Sequence, residues 1–148
     1  MRNYRDLYVW VKSHKLTLEL YRLSRGFPRE EIYGLTSQLR RAAMSIGANL
    51  AEGCGRRTSG ELARFVRIAM GSASELDYHL LLSRDFEFLK SSEYDRLLPE
   101  LTRVRKMLWS LLNSIEKQMD EEVVRATKYR VPSTKGRCAN LSERANSC

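Results

Sequence analysis

Leu35-Thr36-Ser37-Gln38-Leu39-Arg40-Arg41-Ala42-Ala43-Met44-Ser45-Ile46-Gly47-Ala48-Asn49-Leu50-Ala51-Glu52 is the stretch that decides the fold. Leu35, Leu39, Ala42, Ile46 and Leu50 recur at three and four residues, the spacing that places side chains on one face of an α-helix. A helix is predicted over about residues 33–52, closed by Gly53-Cys54-Gly55. A polar stripe of Gln38, Arg41, Ser45, Asn49 and Glu52 runs beside the apolar one at the same spacing. Ala42, Ala43, Gly47, Ala48 and Ala51 fill much of the remainder. Glycine in a helix interior costs roughly 1 kcal/mol relative to alanine, so Gly47 predicts a packing reason.

Downstream, Thr58 and Glu61 have capping-box spacing and open a third helix expected to last to about Phe88. Leu62, Phe65, Ala69, Ser72, Leu76 and Leu80 form its apolar stripe, and Ala63, Gly71, Ala73 and Ser74 are again small. Small residues on both helices predict that the second and third approach backbone to backbone. Arg64, Arg67, Glu75 and Tyr78 then meet the polar stripe, so Gln38, Ser45, Asn49, Glu52 and Glu75 form a candidate structural polar network. Glu52 is expected as a buried charge paired with Arg56, Arg57 or an arginine of helix three, because a buried charge needs a partner.

Upstream, Leu7, Trp10, Val11, His14, Leu18 and Tyr21 define a first helix over about 6–24, stopped by Gly26-Phe27-Pro28. The fourth covers about 92–126, with Leu97, Leu101, Val104, Leu108, Leu111, Ile115 and Met119 in register. Pro99 falls in its early turns and predicts either a later start or a kink. Four amphipathic helices with short connections predict an all-α protein, an antiparallel up-down-up-down four-helix bundle. Its long fourth helix would span roughly 50 Å at ~1.5 Å per residue. Ile115, Met119 and Val123 continue the apolar stripe toward the end of that helix and call for cover, which points to oligomerisation.

The chain of 148 residues and net charge +8 fits one domain, 1–127, followed by a tail. Residues 128–148 carry five basic groups and one acid, half of the net charge in a segment poor in apolar residues. This tail is expected to be disordered, basic and flexible, serving either solubility or phosphate contact. No apolar run approaches the ~20 residues of a membrane span and no signal-like start is present, so a cytoplasmic protein with no membrane role is expected. Cys54, Cys138 and Cys148 lack C-x-x-C spacing, and His14 and His79 are the only histidines. No Glu-x-x-His pair of a di-metal bundle occurs, so the chain is read as no enzyme, with no metal, cofactor or catalytic residue.

The turn Gly53-Cys54-Gly55-Arg56-Arg57-Thr58-Ser59-Gly60 has the parts of an anion site, glycines and arginines before a helix N-terminus. No strand precedes it, and Glu61-Leu62 stand where a P-loop needs Lys and Ser or Thr, so neither nucleotide fingerprint applies. Phosphate contact and a plain interhelical turn both fit. Between residues 40 and 67 lie six arginines (Arg40, Arg41, Arg56, Arg57, Arg64, Arg67) and two acids, a candidate nucleic-acid-binding face.

The run Glu31-Ile32-Tyr33-Gly34-Leu35-Thr36-Ser37-Gln38-Leu39-Arg40-Arg41-Ala42-Ala43-Met44-Ser45-Ile46 continues through Ala48-Asn49-Leu50-Ala51-Glu52-Gly53, Gly55-Arg56-Arg57, Phe65, Ala69-Met70-Gly71-Ser72 and Glu75-Leu76. It resembles the signature of the rRNA intervening-sequence proteins, four-helix bundle proteins encoded inside insertions in bacterial large-subunit rRNA genes. The resemblance covers about residues 5–115. It implies an up-down-up-down bundle, assembly as a homopentameric ring, and no established enzymatic activity. The family is similar in fold to the accessory variability protein of diversity-generating retroelements, a basic pentamer that binds reverse transcriptase and RNA. Gly47 stands where the family often has Pro, which implies a straighter second helix, and the tail lies outside the pattern. The resulting expectation is a non-enzymatic ring-like scaffold that binds RNA or a nucleoprotein through an Arg-rich face. The alternative is an adaptor that docks on an enzyme such as a reverse transcriptase with no nucleic-acid role.

Overall fold

A computed structural model describes residues 2–129. Four α-helices follow one another: α1 Tyr8–Ser24, α2 Leu35–Cys54, α3 Ser59–Asp85 and α4 Ser91–Lys128. No strand occurs among the described residues. The packed pairs are α1–α2, α2–α3, α3–α4 and α1–α4, so the helices occupy the corners of a square in chain order. The all-α four-helix bundle read from the sequence is the fold. The basic tail expected over 128–148 lies outside the described residues from position 130 onward.

Local chemistry sets each helix start. Thr58 accepts from the Glu61 N–H at 3.2 Å, and the Glu61 carboxylate accepts from the Thr58 N–H at 3.3 Å, closing the capping box expected there. The first turn of α2 is held instead by Glu31, whose carboxylate accepts from the Leu35 N–H at 2.9 Å. That side chain comes from a short 3-10 turn over Arg29–Glu31, and α2 begins at Leu35 and not at Tyr33. α1 begins at Tyr8 because Leu7 is extended, after a short 3-10 turn over Tyr4–Asp6 capped by Asn3. α3 ends at Asp85, three residues earlier than expected, where the chain turns through Glu87 at φ 61°. α4 runs unbroken from Ser91 through Pro99, whose side is exposed, so the missing N–H leaves a carbonyl facing water.

Leu20, Leu39, Ile46, Leu50, Val66, Leu76, Leu80, Leu97, Leu101, Leu108 and Ile115 fill the core, each under 2% exposed. Burying a Leu or Ile side chain stabilises by about 1.5–3 kcal/mol, so this stripe is the main stabilising term. Two helix-interior glycines depart from the expected reason. Gly47 looks toward Trp10 of α1, not toward α3, and a Cβ there would make ordinary contact at 3.5 Å. Gly71 has nothing within 4 Å of a Cβ. The glycine that lets α2 and α3 converge is Gly53, where a Cβ would lie 2.9 Å from the Cβ of Phe65.

Candidate nucleic-acid interface

The polar stripe of α2 meets α3 along one seam. Asn49 Nδ2 donates to Ser45 Oγ at 3.0 Å, the Ser45 and Ser72 hydroxyls are 2.7 Å apart, and Ser72 Oγ donates to the Ile68 carbonyl at 3.1 Å. With Ser72 committed to Ile68, the chain of protons runs from Asn49 through Ser45 to Ser72. The buried Ser72 and half-buried Ser45 hydroxyls are thereby satisfied at a close helix–helix approach. Further along, Arg41 donates to Gln38 Oε1 at 3.2 Å and to Glu75 Oε1 at 2.9 Å. His79 Nε2 lies 3.4 Å from the same Glu75 oxygen. Gln38, Ser45 and Asn49 of α2 and Glu75 of α3 line this seam.

Glu52 finds one of its expected partners but is not the buried charge expected. It is paired with Arg56, one turn later, and both side chains are about half exposed. A surface pair of this kind has no buried charge to compensate and contributes about 0–1 kcal/mol. Glu52 lies one residue before Gly53, about 100° around the helix from the close approach to α3, so its side chain faces solvent.

The six arginines do not share one face. Arg40 turns toward α1, donating Nε to Ser24 Oγ at 2.8 Å with its guanidinium 4.7 Å from the Tyr21 ring centroid. Arg41 lies on the seam, and Arg67 pairs with Glu116 of α4. Arg56, besides holding Glu52, stacks on Phe65 at 5.1 Å. Arg57 and Arg64 are exposed, and no carboxylate among the described residues pairs with either.

Around the α2–α3 turn Arg2, Arg56, Arg57, Thr58 and Ser59 line a cleft of about 110 Å³. Its floor is Gly53, Cys54 and Leu62. Arg2 arrives because its N–H donates to the Cys54 carbonyl at 3.3 Å, which ties the N-terminal segment to the end of α2. Its guanidinium donates to Gln118 of α4 at 3.4 Å. At the same end the Glu61 N–H of α3 is capped by Thr58 Oγ1 and the Glu61 carboxylate folds back on Thr58, which leaves the Ser59 and Gly60 N–H groups without an intrahelical acceptor. Cys54 is a buried free thiol; burial pushes its pKa up, and the Arg2 charge only partly offsets this. No cluster of three metal-ligating side chains occurs among the described residues.

Residues 5–110 match the family model described as 23S rRNA-intervening sequence protein. The chain belongs to this family. A solved structure described as a protein of unknown function from the S23 ribosomal protein family of Bacteroides thetaiotaomicron shares the fold. It is 23% identical, with a TM-score of 0.63, and the match covers 70% of this chain and 97% of that one. Comparison with curated proteins gives no match. Neither family description names a reaction. In this 23S rRNA-intervening sequence protein the seam and the turn both lie inside the matched residues, while Glu116 and Gln118, which hold Arg67 and Arg2, lie beyond them. No described helix is long and apolar enough to cross a membrane.

Proposed function

We propose that this 23S rRNA-intervening sequence protein is a non-enzymatic scaffold that binds RNA by phosphate contacts at the α2–α3 turn and works as a cytoplasmic ring of copies. The observation that carries the reading is the contrast in arginine use. Among the described residues no carboxylate pairs with Arg57, exposed beside Arg2 and Arg56 around the cleft, or with Arg64, five residues into α3. An unpaired guanidinium near open helix N–H groups suits a phosphate oxygen, and such contacts give affinity with little sequence preference. A ring multiplies that positive field. Five copies is what the family resemblance implies, and exposed apolar residues away from the α1–α2 face, such as Trp109 and Val123, supply surface that association would cover.

The test is the affinity for a single-stranded RNA measured from low to moderate salt, with intact mass measured alongside. Binding should weaken steeply as salt rises, and Arg56→Ala with Arg57→Ala should flatten that dependence. Absence of binding at low salt, or binding insensitive to salt, contradicts the reading; a monomeric mass contradicts the ring alone. The exposed Val123 and Val124 at the end of α4 favour a second reading, an adaptor that docks on an enzyme such as a reverse transcriptase. Association with purified reverse transcriptase that survives nuclease treatment would support it over the first.

A further inference from the structure

The face formed by α1 and α2 carries a groove of about 440 Å³ lined mainly by rings and small residues, among them Trp10, His14, Tyr21, Met44, Gly47 and Ala48. The rings are ordered as a ladder. Tyr4 meets Trp10 edge-on at 4.9 Å, and Trp10 stacks on His14 at 4.9 Å with the planes 8° apart. His14 is exposed, so the ladder ends in an imidazole open to solvent. Leu18, 58% exposed, and Met44, 48% exposed, continue the groove toward Tyr21.

Charge distinguishes this groove from an ordinary apolar cleft. None of its lining residues is acidic. The single carboxylate of α1, Glu19, is turned away to Arg96 of α4, and α2 has none before Glu52 at its far end. Cations stand at both ends: Arg5 lies 4.7 Å from the Tyr4 ring, and Arg40 lies 4.7 Å from the Tyr21 ring. Gly47, whose own chain makes no demand for a missing side chain, leaves the floor of the groove low. Glycine is the residue that lets a ligand approach backbone closely.

We propose that this groove binds unpaired bases of single-stranded RNA, stacking a base on the open face of His14 while Arg5 and Arg40 hold the flanking phosphates. Rings for bases and cations for backbone are the two parts of a single-strand site. The proposal rests on the RNA reading above but locates a second contact region on another face of the bundle, where base planes rather than phosphates are recognised.

The test uses the full chain carrying Trp109→Phe, which leaves Trp10 as the sole tryptophan, with three probes: a 12-nucleotide oligouridine, an RNA duplex of that length, and inorganic polyphosphate. The single strand should change Trp10 emission, while duplex and polyphosphate should not. His14→Ala should weaken single-strand binding about tenfold without altering its salt dependence, since stacking is not a counterion effect. His14→Phe, which keeps a ring, should restore binding. The proposal is overturned if all three probes change the emission equally, or if His14→Ala binds like the parent. It is also overturned if Leu18→Arg dissociates an oligomer while RNA affinity stays intact, which would make the groove an interface between copies. Loss of the salt effect of Arg57→Ala with the His14 effect retained would instead overturn the turn reading alone.

Discussion

Along the α2–α3 seam Arg41 lies against Glu75 and Ser45 against Ser72, whereas around the α2–α3 turn Arg57 faces solvent and pairs with no carboxylate among the described residues. The two regions share a helix pair and stand only a few turns apart. In the seam polar groups are consumed by one another, so little remains for a ligand. At the turn Gly53 brings the helices together, the chain reverses, and arginines from two separate segments collect without enough acid to match them. Positive charge in the sequence is therefore a poor guide to positive charge available to a partner.

The sharpest way to break this comparison is at Gly53, where the seam closes. Gly53→Ala forces a Cβ against Phe65, and overpacking of this kind should cost about 1–3 kcal/mol, read as a fall in the denaturant midpoint. Unchanged stability would mean that the convergence is looser than the 2.9 Å approach implies. Thr58→Ala removes the hydroxyl that caps α3 at the turn and should cost about 1 kcal/mol in the same measurement. Gly71→Ala, with open space around it, should raise thermal stability by roughly 0.5–1 kcal/mol through helix propensity; a loss would reveal a contact at that exposed position. Smallest is the Arg41–Glu75 coupling. Both side chains are substantially exposed, so a double-mutant cycle should give under about 1 kcal/mol and less in high salt. A larger coupling would make the seam an electrostatic clamp.

Much of the seam was legible in the sequence because helical spacing is local. Gln38, Arg41, Ser45 and Asn49 share a face whatever surrounds them, and Thr58 with Glu61 announces a helix start within four residues. What eluded the sequence depends on how helices rotate against each other. Gly47 could not be assigned to α1 rather than α3 from its own helix. Arg67 finds Glu116 only through the α3–α4 register, and Arg2 reaches the turn by a backbone bond to Cys54, fifty-two positions away. No local signal marks Arg2 beyond its being basic near the start of the chain. Glu52 was misplaced as a buried charge because it lies about 100° around the helix from the close approach at Gly53 and faces solvent.

The most direct measurement of the central claim compares two double variants for the salt dependence of single-stranded RNA affinity. Each lost phosphate contact should lower the slope of log affinity against log salt by ~0.7. Arg57→Ala with Arg64→Ala should therefore flatten the slope by about 1.4, while Arg41→Ala with Arg67→Ala, which removes paired charges, should leave it nearly unchanged. Equal flattening by both pairs, or a slope untouched by the loss of Arg57 and Arg64, would contradict the division between a structural seam and a binding turn.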